Sequence, residues 1–176
     1  MNETSSVNTN PEGNNIEKYK FADGYIYLRL TIRDLPPKLN VSGYELLAKE
    51  EFHCSLVCVK DLQEKYGDDI NEKIINLFHN FSSKNKMDLV GYRNEFRLVQ
   101  RGERVSVIVM CDISNIDKFF ELMKQELGIE SDIQPTHVTL YTLQPNMGIG
   151  VNTYLGLNAT KEVQVPDEVK TCLDQN

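Results

Sequence analysis

The sequence predicts an α+β domain whose antiparallel strands carry the chemistry. Three observations predict it. Segments such as Tyr25–Arg33 and Arg104–Asp112 alternate apolar and polar residues, as half-buried strands do. Two other segments repeat apolar residues at helical spacing: Ile70, Ile74, Leu77, Phe78 and Phe81, then Ile116, Phe119, Phe120, Met123 and Leu127. Strands and helices also recur in similar order in the two halves, each half holding one histidine-bearing strand and one amphipathic helix.

Taken in order, Met1–Asn15 is rich in Asn, Ser, Thr and Gly and is expected to be a flexible tail. Tyr25–Arg33 forms the first strand, with Ile26, Leu28, Leu30 and Ile32 on one face and Tyr25, Tyr27, Arg29, Thr31 and Arg33 on the other. Asp34-Leu35-Pro36-Pro37 ends it, because proline fixes its own backbone and restricts the residue before it. A short helix is expected around Tyr44–Lys49, followed by a strand over Glu51–Lys60. Asp61 is a cap for the helical segment that follows, which Gly67-Asp68-Asp69 interrupts. Met87–Gln100 and Arg104–Asp112 form a hairpin around Arg101-Gly102-Glu103. Ser114 opens the second long helix and Gly128 stops it. A strand begins after Pro135, a glycine-rich turn spans Met147–Val151, and a last strand is expected around Tyr154–Leu157. Residues 16–165 thus make a single domain, followed by a polar tail over residues 166–176.

Composition narrows the function. Nineteen Lys and Arg stand against 26 Asp and Glu, a net charge of −7, so the chain is no general binder of long duplex nucleic acid. A small phosphorylated ligand held in a local basic pocket remains compatible with that charge. The four cysteines, Cys54, Cys58, Cys111 and Cys172, contain no CxxC pair and are expected to be reduced thiols. No apolar run is long enough to cross a membrane, and a cytoplasmic monomer is expected.

Two of the three histidines lie in the same short pattern: histidine, any residue, hydroxyl residue, leucine. The copies are His53-Cys54-Ser55-Leu56 and His137-Val138-Thr139-Leu140. Side chains i and i+2 leave one face of a strand, so each copy presents an imidazole beside a hydroxyl. Histidine can act as acid or base near neutrality, and a hydroxyl can donate to a phosphate oxygen on which negative charge grows. Cys54 and Cys58 have the opposite parity and are expected in the core, which leaves too few ligands for a zinc site. Tyr141, two residues beyond Thr139, is expected on the same face, as a wall of the cleft or a partner of the phosphate. Arg29 and Arg93 are the candidate cations, chosen from strand faces that also carry Tyr27, Arg97 and Arg101. Gly148-Ile149-Gly150 lacks the lysine of a phosphate loop and the third glycine of a dinucleotide fingerprint, and reads as a turn bordering the cleft. His79 belongs to no motif.

The paired H-x-[ST]-apolar motifs, with the strand and helix order from Tyr25 to Leu157, resemble the 2H phosphoesterase superfamily. That superfamily includes the RNA 2′,3′-cyclic phosphodiesterases, also described as 2′-5′ RNA ligase-like proteins. The resemblance implies a bilobal, pseudo-symmetric fold with central antiparallel sheets flanked by helices around one cleft. It implies metal-independent hydrolysis of a 2′,3′-cyclic phosphate or a related nucleotide or RNA phosphodiester, with no cofactor. His53 and His137 would be catalytic, and Ser55 and Thr139 would bind the phosphate. Members often carry a basic residue near the position of Tyr141, which this chain lacks. The alternatives are a nucleotide or RNA-end binding module without turnover, and an RNA-ligase-like enzyme on the same fold.

Overall fold

A computed structural model describes residues 17–176 of the chain, so the expected N-terminal tail lies outside the described residues. Nine strands form one sheet and five helices pack on it, giving an α+β fold among the described residues. The strands are β1 (Tyr19–Ala22), β2 (Tyr25–Leu30), β3 (Lys38–Val41), β4 (Tyr44–Ala48), β5 (Phe52–Cys58), β6 (Leu89–Arg101), β7 (Arg104–Ile113), β8 (His137–Thr142) and β9 (Lys161–Val163). The helices are α1 (Val59–Tyr66), α2 (Ile70–Ser82), α3 (Ile116–Leu127), α4 (Tyr154–Asn158) and α5 (Asp167–Asp174). The sheet runs β1-β2-β5-β8-β7-β6-β9, with the β3–β4 hairpin joined to β8, and the pairings are antiparallel.

Apolar periodicity decides which face each element buries. Ile70, Ile74, Phe78 and Phe81 of α2 and Ile116, Phe119, Phe120 and Met123 of α3 enter the main core. There they meet Ile26, Leu28, Cys54, Val107, Val109, Cys111, Val138 and Leu140 of the central strands. The ring of Phe78 contacts those of Tyr19 and Phe119 edge-on, at 5.0 and 5.2 Å between centroids. Along β7 the alternate residues Ile108 and Met110 join a smaller cluster with Val99, Ile149, Val151 and Leu157. That second cluster marks the opposite face of the sheet, partly covered by α4 and the loop before it.

Several segments differ from the sequence expectation, each for a local reason. The segment expected to be helical at Tyr44–Lys49 is β4, the second arm of a hairpin with β3. Ser42 and Gly43 both take left-handed backbone, at φ 49° and 83°, which is the geometry of a two-residue hairpin turn. Leu39, Val41 and Leu46 then alternate into the core. The same device at Asp23-Gly24 creates β1, which the sequence reading omitted. Tyr154–Leu157 begins a short helix, α4, because the Thr153 hydroxyl accepts the Gly156 amide at 3.0 Å and caps it. Residues 166–176, expected as a polar tail, hold α5, whose Val169, Cys172 and Leu173 are buried. The Cys172 thiol donates to the Arg33 carbonyl at 2.9 Å and ties α5 to the end of the first strand region.

At Gly24, φ is 79° and a Cβ would stand 2.7 Å from the Cβ of Lys60. Gly24→Ala is therefore expected to destabilise the fold by about 1–3 kcal/mol, read as a lower urea midpoint with unchanged slope.

Candidate active site

One ladder rung places the two histidine motifs side by side. β5 and β8 are antiparallel neighbours with Cys54 facing Val138. Both of those residues point into the main core, so His53, Ser55, His137 and Thr139 all leave the other face. One step from the rung, His53 lies beside Thr139 on one side and Ser55 beside His137 on the other. The imidazoles are thus diagonal neighbours, whose backbones stand on the order of 7–8 Å apart in an antiparallel pair.

Both motif strands carry a bulge at the same motif position. Tyr27 faces Ser55 while Ile26 faces Val57, which leaves Leu56 as the extra residue of β5. Ile108 faces Thr139 while Val107 faces Tyr141, which leaves Leu140 as the extra residue of β8. Both leucines are fully buried. Such bulges bend a strand and end its alternation, and they are frequent beside active sites.

The bulges overturn two expectations drawn from strand parity. Tyr141 does not continue the face of Thr139. It is completely buried in the main core, where its hydroxyl donates to the Pro36 carbonyl at 2.9 Å and burial pushes its pKa up. Cys58 is buried, as expected, but past the bulge it leaves the cluster that holds Cys54. It pairs with Tyr25 and lies near Asn152 and Asp61, and burial raises its pKa to about 11. Cys54 remains in the core, its sulfur 3.8 Å from that of Cys111.

The two imidazoles differ in surroundings. His137 is 7% exposed, and its Nδ1 lies 2.8 Å from the Pro135 carbonyl oxygen. A carbonyl only accepts, so Nδ1 carries the proton and Nε2 of the neutral ring keeps a free lone pair. Burial lowers the pKa of His137 and the Pro135 hydrogen bond opposes that shift. His53 is half-buried, with its ring 4.3 Å from that of Tyr27. Its pKa falls from 6.5 to about 4, first through burial and then through the nearby charges of Lys49, His137 and Lys20. The effect of His137 on His53 places the two rings in one electrostatic environment. Both are neutral at pH 7.

Lys49 is the site residue that the sequence reading missed. It occupies the bend between β4 and β5, and its amide donates to the carbonyl of the bulged Leu140 at 2.9 Å. Its ammonium is half-buried beside His53, and burial lowers its pKa. A partly desolvated cation next to the His53 imidazole is a place where an anion would be stabilised. Its adjacency to a histidine motif, four residues before His53, was the only signal in the sequence.

Of the two predicted cations, Arg29 is the cross-strand neighbour of His53 and is exposed. The charges that depress His53 are those of Lys49, His137 and Lys20. Arg93 donates through Nε to Asp112 at 3.0 Å and its charge is already matched. Arg97 is likewise paired, with Glu95. Tyr27 flanks the site, and burial raises its pKa to about 12. The glycine-rich loop does border it: a Cβ on Gly148 would lie 3.7 Å from the Thr139 hydroxyl. His79 sits apart, against Phe21 at 4.9 Å. Among the described residues no three His, Cys, Asp or Glu side chains cluster as ligands for a metal ion.

Comparison with protein-family models, with curated proteins and with solved structures finds no match to this chain.

Histidines held neutral by burial make stability pH-dependent. Between the folded pKa of His53, about 4, and its unfolded value of 6.5, the unfolded chain binds more protons. The contribution is full above pH 6.5 and is lost as pH falls towards 4. Urea midpoints of wild type and His53→Asn should therefore converge or cross as pH falls from 7.5 to 4.5, whereas parallel curves would show that His53 titrates normally.

Proposed function

We propose that this chain is a metal-independent phosphoesterase that opens a 2′,3′-cyclic phosphate or hydrolyses a related nucleotide or RNA phosphodiester. The observation that carries the reading is the quartet of His53, Ser55, His137 and Thr139 on one sheet face, with the Lys49 ammonium beside it. In this scheme Nε2 of His137 takes a proton from water, and the water oxygen forms a new bond to phosphorus. The bond from phosphorus to the leaving ribose oxygen breaks, and His53 supplies the proton that oxygen needs. Ser55 and Thr139 donate to the non-bridging oxygens, and Lys49 offsets the charge that grows on them. The Nδ1–H tautomer of His137 supports its assignment as base.

His53 must gain a proton before it can act as an acid, and a bound phosphate favours that by supplying the opposite charge. The reading also takes the domain as two lobes, one contributing β5 and the other β8. The matching bulges at Leu56 and Leu140 support that view.

Turnover of a 2′,3′-cyclic nucleotide, followed as appearance of the monophosphate, tests the proposal. His53→Ala and His137→Ala are each expected to lower kcat/KM by about 10²–10⁴-fold without loss of fold. Near-normal hydrolysis by either variant would sink the reading. Burial holds both pKa values below 6.5, so kcat/KM should peak below pH 6.5 and decline towards pH 8.

A further inference from the structure

We infer that the ligand is an extended one, whose second phosphate lies in a basic cavity farther along the same sheet face. The inference rests on the phosphoesterase reading for the position of the first phosphate. The cavity, of about 810 Å³, is bounded by Tyr25, by the β6–β7 turn region and by the segment from Ile149 to Lys161. In a chain of net charge −7 it gathers Lys60, Arg101, Arg104 and Lys161 against a single carboxylate, Asp61. None of the four cations joins an ion pair among the described residues. Arg101 donates only to the Gly150 carbonyl, at 3.3 Å, and the Lys60 ammonium stands 4.7 Å from the centre of the Tyr25 ring. Four like charges around one concavity repel each other and attract an anion.

Asn152 joins the cavity wall to β2. The side-chain carbonyl oxygen of Asn152 is buried without a hydrogen-bond partner, although its amide nitrogen donates to the Tyr25 hydroxyl at 2.9 Å. Asn152 therefore fixes the cavity wall to the β2 tyrosine rather than offering its carbonyl oxygen to the cavity.

Two tyrosines connect this cavity to the histidines. Tyr27 contacts His53 at 4.3 Å, and Tyr25 stacks on Tyr27 at 5.6 Å with the rings 14° from parallel. Arg29, the neighbour of His53, lies four positions along β2 from Tyr25, which is about 13 Å of strand. That span exceeds the reach of one phosphate ester and matches a ligand with a nucleoside between two phosphates. A short oligonucleotide with a terminal cyclic phosphate has this form.

Calorimetric binding of two probes to the full-length chain decides it: an RNA trinucleotide ending in a 2′,3′-cyclic phosphate, and a 2′,3′-cyclic mononucleotide without a 5′-phosphate. The titrations use His53→Ala, to prevent turnover, with and without Arg104→Gln and Lys161→Gln. The trinucleotide is expected to bind at least tenfold more tightly than the mononucleotide, with a steeper salt dependence. The cavity substitutions should remove that advantage and leave the mononucleotide unchanged. Equal affinity for the two probes, no binding of the trinucleotide, or an advantage that survives both substitutions would overturn the inference. Failure of the phosphoesterase reading has a different signature: wild type would bind the trinucleotide through the cavity and return it intact.

Discussion

The rung between Cys54 and Val138 is the constraint on which the site depends. Antiparallel pairing in that register puts two small or branched apolar side chains into the helix-covered core. The same register forces the flanking histidines and hydroxyl residues onto the other face. A slip of one residue would send all four polar groups into the core and bring Cys54 and Val138 out, so burial of the helices protects the register. The bulges at Leu56 and Leu140 then end the alternation just after each hydroxyl. They turn Val57 and Tyr141 inward and confine the polar positions to one compact group.

Electrostatics in this group oppose the charge of the whole chain. The protein carries seven more acidic than basic groups, yet the groups that act on His53 are Lys49, His137 and Lys20. Burial and these neighbours lower the pKa of His53, burial alone lowers that of His137, and burial also lowers that of Lys49. His53 is thus held neutral by desolvation and by neighbouring positive charge, and His137 by desolvation, while Lys49 remains the cation beside them. In the proposed reaction an incoming phosphate would favour the protonated form of the imidazoles.

Much of this was legible in the sequence because it follows from periodicity. The 3.6-residue spacing of Ile70, Ile74 and Phe78 and of Ile116, Phe119 and Met123 placed α2 and α3, and the period of two in β2 and β7 assigned their faces correctly. Repetition of His-x-hydroxyl singled out four residues that the fold does bring together. What failed was parity carried past a bulge. Tyr141 and Cys58 each lie beyond an extra leucine, and nothing in the local composition announces that residue. Lys49 was illegible for a different reason: its place depends on how the end of β4 meets β8, a long-range pairing. The hairpin turns at Asp23-Gly24 and Ser42-Gly43 were present as signals, and reading them would have recovered β1 and the β3–β4 hairpin.

The central claim is that His53 and His137 form one phosphate-holding pair. Nuclear magnetic resonance of the imidazole nitrogens across pH, with and without a nucleoside 3′-monophosphate, tests it most directly. The account predicts that both rings titrate below 6.5 in the free protein, with His137 in the Nδ1–H form. It further predicts that the nucleotide raises both titration midpoints together while leaving His79 unmoved. A nucleotide that shifts only one of the two rings, or shifts neither, would contradict the account.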